Sequence, residues 1–166
     1  MTCTLCQGRG CFLLRWCFCV HIVHLSDSFY NTYGAFPEIL KKRNRPYACL
    51  AIRIDGVTYA IPFRHHITHK HAFLTGDDKG LDYTKAIIIK DRSFIGLIGV
   101  QVDQTEFNAL KGKEGRIAAG MRSFVNTYRK ALRYPNNPHY SFIRNCSALQ
   151  YFPEYFADIV PNSDTK

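Results

Sequence analysis

The sequence predicts an α+β domain, an antiparallel sheet with flanking helices, and three observations carry that expectation. A hairpin pattern runs from Tyr47 to Phe63 and turns at Asp55-Gly56. A second β-rich run, Lys85-Ala86-Ile87-Ile88-Ile89, is too short for a helix and too apolar for a loop. After Asp103 the pattern changes to helical spacing and holds it as far as Arg133. The chain has 166 residues, enough for one domain with a substantial core. With 46% hydrophobic and 14% aromatic residues it has the material to bury, which argues against a disordered tail.

Residues 1–20 read as an extension outside the domain, residues 21–160 as the single domain, and 161–166 as a tail. Five of the seven cysteines (Cys3, Cys6, Cys11, Cys17, Cys19) crowd the start, and the composition changes abruptly near Val20, as if upstream sequence had been translated ahead of the natural start. A zinc knuckle on Cys3-x-x-Cys6 and a signal peptide compete with that reading. No second Cys-x-x-Cys follows, and no small-residue cleavage site follows the apolar stretch. The apolar run from Cys11 to Val23 is too short to span a bilayer, so no membrane is expected as partner. Without the extension only Cys49 and Cys146 remain, which suits a reducing cytoplasm.

Within the domain, His21 to Ser26 alternates polar and apolar residues, a first short strand. Asp27 to Tyr33 reads as an aromatic turn ended by Gly34, and Pro37 to Lys42 as one or two helical turns. A basic loop follows, Lys41-Lys42-Arg43-Asn44-Arg45-Pro46. Two strands, Tyr47 to Ile54 and Val57 to Ile61, flank the Asp-Gly turn, so the hairpin returns Arg45 to the neighbourhood of Arg64. Gly76 to Gly80 is a turn, and Phe94 to Val102 contains a further strand with glycine irregularities. Asp103 caps a helix, with Glu106 in capping-box position. The helix breaks near Gly112 and resumes from Lys113 to Arg133. There Ile117, Met121, Phe124, Tyr128 and Leu132 form a core stripe, opposite a charged face of Arg116, Arg122, Arg129 and Lys130. Ser141 to Phe156 closes the domain with aromatic residues.

The densest chemistry is the block after the hairpin, Arg64-His65-His66-Ile67-Thr68-His69-Lys70-His71. It holds four of the seven histidines, two cations and no acid. Imidazoles give or take protons near neutral pH, and fixed cations hold phosphate oxygens, a combination suited to phosphodiester cleavage. The net charge of +9 and the pI near 9.3 point to the same anionic partner. Candidate catalytic residues are Arg45, Arg64, His65, His66 and His69; His66 and His69 share a face if the block is helical. Candidate RNA contacts are Lys41, Lys42, Arg43, Tyr47, Lys70, His71, Lys111, Lys113 and Arg116. His65 and His69 have the i,i+4 spacing of a metal pair, but the block has no supporting carboxylate, and neither metal nor cofactor is expected.

Several segments, in this order, resemble the toxins of type III toxin–antitoxin systems, the TenpN type within the ToxN/AbiQ group. They are Asn44-Arg45-Pro46-Tyr47, the hairpin end Ala60 to Arg64, His66 to Phe73, Gly80 to Ala86, Glu106 to Glu114, and Leu149-Gln150-Tyr151-Phe152. The likeness covers residues 25–152. It implies a compact, strongly bent antiparallel sheet with flanking helices, akin to the MazF/Kid toxin fold. It also implies metal-independent cleavage of substrate RNA and silencing by an antitoxin RNA of pseudoknot repeats, with toxin and RNA closed into a ring-like assembly. The ToxN branch carries a lysine just before the hairpin and a Thr-Ser pair just after it. Aligning the turns puts Arg45 at the lysine and Arg64-His65 at the hydroxyl pair, a departure that replaces hydroxyls by a guanidinium and an imidazole. A non-catalytic RNA-binding module is the alternative on the same residues.

Overall fold

The computed structural model describes residues 21–40, 48–96 and 102–161. The extension 1–20, the basic loop 41–47 with Lys41, Lys42, Arg43, Arg45 and Tyr47, and most of the strand expected up to Val102 lie outside the described residues. Among the described residues the chain is mixed α+β, with one antiparallel sheet of six strands and four α-helices.

The strands are β1 (His21–Val23), β2 (Cys49–Ile54), β3 (Val57–Arg64), β4 (Ala72–Leu74), β5 (Gly80–Asp82) and β6 (Ile87–Ile88). The helices are α1 (Asp27–Tyr33), α2 (Gln104–Leu110), α3 (Glu114–Arg133) and α4 (Ser141–Cys146). The expected hairpin is present: Ile54 pairs with Val57 and the register runs on to Cys49 with Pro62. Asp55 and Gly56 both have positive φ, 50° and 85°, which matches the right-handed twist of the strands they join.

On its other edge β3 changes partner. Tyr59 and Ala60 pair with β6, whereas Phe63 and Arg64 pair with β5, whose far side holds β4. Pro62 stands at the changeover, where a residue without an N–H leaves no ladder bond unmade. The β4–β5 pair is drawn tight at Gly80. A Cβ there would meet the carbonyl oxygen of Phe73 at 2.1 Å, so any side chain would force the two strands apart.

Sheet and helices enclose one core, in which Phe29, Leu50, Ile61, Leu81, Ile88, Ile117, Met121, Leu149 and Phe152 are almost fully buried. From the stripe on α3, Ile117, Met121, Phe124 and Tyr128 are buried as the spacing requires, while Leu132 is only half-buried and Ala131 takes the deep position. On the charged face Arg122 pairs with Asp55 and Arg129 with Asp158.

Several local expectations need correction, among them the helical turns from Pro37, where the described residues form turns and bends instead. Asp27–Tyr33 is a helix, not a turn, because Ser26 caps it by accepting the Phe29 amide and its aromatic residues bury Phe29, Tyr30 and Tyr33 on one side. The run Lys85 to Ile89 gives only the two-residue β6, since Asp82 caps a 3₁₀ turn, Tyr83–Lys85, that uses up its start. After it, Arg92–Phe94 is another 3₁₀ turn, and Ile95 makes a single bridge to Leu25. At α2 Asp103 accepts the amides of Thr105 and Glu106 as expected, but the Glu106 carboxylate is buried beside the Thr75 hydroxyl. No described helix is long and apolar enough to cross a membrane.

Candidate functional site

Asp82 closes β5 and is fully buried. In the register Arg64 lies opposite Gly80, so Asp82, two residues along, projects to the same face as a diagonal neighbour. Arg64 Nη1 donates to Asp82 Oδ2 at 2.6 Å. The other oxygen, Oδ1, accepts the Thr84 amide at 2.8 Å and the Thr84 hydroxyl at 2.7 Å. His69 Nε2 stands 3.5 Å from Oδ1, an ion-pair distance rather than a short hydrogen bond. A buried carboxylate is tolerated when its lone pairs are occupied and a cation faces it, and both conditions hold here.

The block between β3 and β4 is an irregular loop, not a helix. His66 has φ +58°, a left-handed conformation, and its side chain is 90% exposed with Nδ1 2.9 Å from Asp78 Oδ2. The next residue, Ile67, is buried and its amide donates to the Asp78 carbonyl, so the loop is moored on the turn before β5. His66 and His69 therefore do not share a helical face. His65 is exposed at the end of β3. His69 turns inward instead, its ring 6.2 Å from that of His71 and 5.7 Å from that of Phe142. Its Nδ1 is buried with no hydrogen-bond partner.

Beside this cluster lies an open concavity of about 460 Å³ between the start of β4 and one face of α3. Lys70, His71 and Phe73 form one wall, and Arg116, Ser123 and Thr127 the other. The α3 residues recur at helical spacing on the face next to the core stripe. The Arg116 guanidinium lies over the Phe73 ring at 5.8 Å. Among the described residues this lining contains no carboxylate. The pKa of His71 is lowered from the ordinary histidine value, first by partial burial and then by the neighbouring His69 and Lys70, with Asp82 opposing them. His71 is accordingly neutral near pH 7 and able to accept a proton.

Of the residues the sequence singles out, Arg64, His69, Lys70, His71 and Arg116 gather around Asp82 and the concavity. Lys111 and Lys113 are exposed at the break before α3, where Gly112 has φ +72°. The sequence alone does not single out Asp82 or Phe142. Asp82-x-Thr84 is an Asx-type cap and legible as a turn, but nothing in it announces a partner 18 residues upstream. Among the described residues no group of three His, Cys, Asp or Glu side chains is placed to hold a metal ion. Comparison of the chain with protein-family models, curated proteins and solved structures finds no match.

Proposed function

We propose that the protein is a metal-independent endoribonuclease, the toxin of a type III toxin–antitoxin system, built on a strongly bent, MazF/Kid-like version of its antiparallel sheet. The observation that carries this reading is the buried Asp82, which holds Arg64 and faces His69 at the edge of a basic concavity whose described lining holds no carboxylate. Cleavage requires the ribose 2′-hydroxyl to lose its proton as it attacks the adjacent phosphorus, and the leaving 5′-oxygen to gain one. The products are a 2′,3′-cyclic phosphate and a 5′-hydroxyl. Arg64, pinned through Nη1 and still 30% exposed, is the group to stabilise the phosphorane. His69 and His71, with rings 6.2 Å apart, are the imidazoles this reading assigns to the two proton transfers, each contributing roughly 10²–10⁴-fold. Asp82 orients its neighbours, binding Arg64 through Oδ2 and facing the His69 Nε2 across 3.5 Å from Oδ1. Lys70 and Arg116 hold flanking phosphates, for which substrate and a repetitive antitoxin RNA would compete.

A non-catalytic RNA-binding module has one observation on its side. His69 turns one ring nitrogen to Asp82 and buries the other, so its ring must turn to reach a substrate. Incubating purified protein with a mixed RNA pool in excess EDTA separates the two. The nuclease reading expects cut RNA with cyclic-phosphate ends, and no cutting where the scissile ribose is replaced by deoxyribose. Intact RNA retained by the protein establishes the module.

A further inference from the structure

We propose that Phe142, on the first turn of α4, is a positioning residue that holds the His69 imidazole toward Asp82 and beside His71. It rests on the ribonuclease reading above, in which His69 moves a proton. Three rings stand together here: Phe142 and His69 at 5.7 Å, Phe142 and His71 at 6.5 Å, and His69 and His71 at 6.2 Å. All three separations lie within the range of direct ring contact. His71 has a further ring beside it, the buried Phe124 of α3, at 5.6 Å. His69 needs packing of this kind because its polar contacts do not fix it. Its Nε2 is 3.5 Å from Asp82 Oδ1, and its Nδ1 is buried with no hydrogen-bond partner. A ring with one long contact and one orphaned nitrogen gains by turning until that nitrogen meets water. The Phe142 ring is placed to oppose that turn.

The fold fixes Phe142 in this place. Ile143 is buried in the core, which sets its neighbour Phe142 about 100° around the short helix. Phe142 is left 44% exposed, so its ring is not core filling. The end of α4 is tied to the segment that carries Asp82. Lys85 Nζ donates to the Cys146 carbonyl at 2.9 Å, satisfying one of the last carbonyls of the helix, and Lys85 ends the 3₁₀ turn that Asp82 caps. Asp82 and Phe142 are therefore mounted on one frame, and His69 meets both. Phe142 also shields His71, whose pKa is lowered first by partial burial. Among the described residues the groups facing His71 are His69 and Lys70 in its own loop, Asp82 and Tyr83 from β5 and the turn after it, and Arg116 from α3. α4 adds Arg144, whose Nη1 is turned to the Asn137 carbonyl at 3.5 Å.

The test compares Phe142→Ala and Phe142→Tyr with the parent, after circular dichroism verifies that each folds; Phe142→Leu replaces an alanine variant that does not. NMR of the imidazole nitrogens follows His69 and His71 in the free protein, with His69→Gln to assign the signals. Single-turnover cleavage is measured beside affinity for an RNA that carries deoxyribose at the scissile position. Phe142→Ala should shift the His69 signals and raise the His71 midpoint toward its ordinary value of about 6.5. It should slow cleavage by about tenfold to a hundredfold, the cost of a misplaced group, with affinity within about threefold. Phe142→Tyr keeps the ring and should stay within about threefold of the parental rate. Unmoved His69 signals in Phe142→Ala overturn the proposal, as does an affinity loss equal to the rate loss, which makes Phe142 an RNA contact. Parental cleavage by Phe142→Ala refutes the role of Phe142 and leaves the nuclease standing. In a protein that never cuts RNA, moved His69 signals keep Phe142 as the holder of the ring and remove the nuclease.

Discussion

Replacing Asp82 by asparagine probes the centre of the site with almost no change of shape. The amide keeps one carbonyl oxygen for the two Thr84 bonds, but it sets an NH₂ donor, in place of an anionic oxygen, against Arg64. A hydrogen bond to a charged group contributes about 1.5–3 kcal/mol, and breaking a wholly buried ion pair costs about 3–5. Arg64 is 30% exposed and regains some hydration, so the lower part of the combined range applies, about 2–3 kcal/mol. For a domain of this size that lowers the melting temperature by roughly 5–10 °C. Urea unfolding should show the midpoint falling with an unchanged slope. In a double-mutant cycle with Arg64→Met the coupling should be about 1–2 kcal/mol, since the second change removes the group the first offends. Stability within about 0.5 kcal/mol of the parent, or additive effects, would refute the claim that Asp82 and Arg64 form one buried unit.

Two further outcomes follow from the histidines. His69→Gln should slow RNA cleavage by about 10²-fold or more while leaving RNA affinity within about threefold, whereas His66→Ala, which alters an exposed contact to Asp78, should stay within about tenfold of the parental rate; single-turnover kinetics beside binding isotherms check this, and the reverse ranking would move the proton transfer to His66. His71 titrates below its unfolded value of about 6.5, so on acidification the unfolded chain takes its proton first; the stability this residue contributes is present above that value and lost as pH falls through its folded pKa. Melting curves across this range should therefore show a smaller acid loss for His71→Gln than for the parent, and identical losses would count against the lowered pKa.

What was legible in the sequence depended on how local its cause is. Asp55-Gly56 specifies its own turn, and the register of β2 with β3 follows from it. The stripe on α3 and the Asp103 cap are set by spacing within a few residues. Asp27–Tyr33 reads as a turn in the sequence because aromatic residues are indifferent helix formers, and only the Ser26 cap and burial of that face decide the matter. The histidine block stands out in the sequence by its composition, but its internal arrangement is not legible there. His69 turns inward because an acid on another strand awaits it, and His66 turns outward because Ile67 must be buried. Ser123 and Thr127 look like ordinary polar positions on an exposed helix until β4 is laid beside them.

The pairing of Arg64 with Gly80 also bears on the order in which the molecule becomes itself. The hairpin needs only neighbours in the chain and can close within microseconds, whereas β5 reaches its place across a long loop. Until it docks, Arg64 is a lone cation at the end of a ribbon. Should β5 dock one residue out of step, Asp82 would point to the opposite face and both Arg64 and His69 would lose their anion. The buried carboxylate thus makes native strand alignment a precondition of the Arg64–Asp82–His69 cluster, so that nascent and misaligned chains carry the histidines and cations without that arrangement.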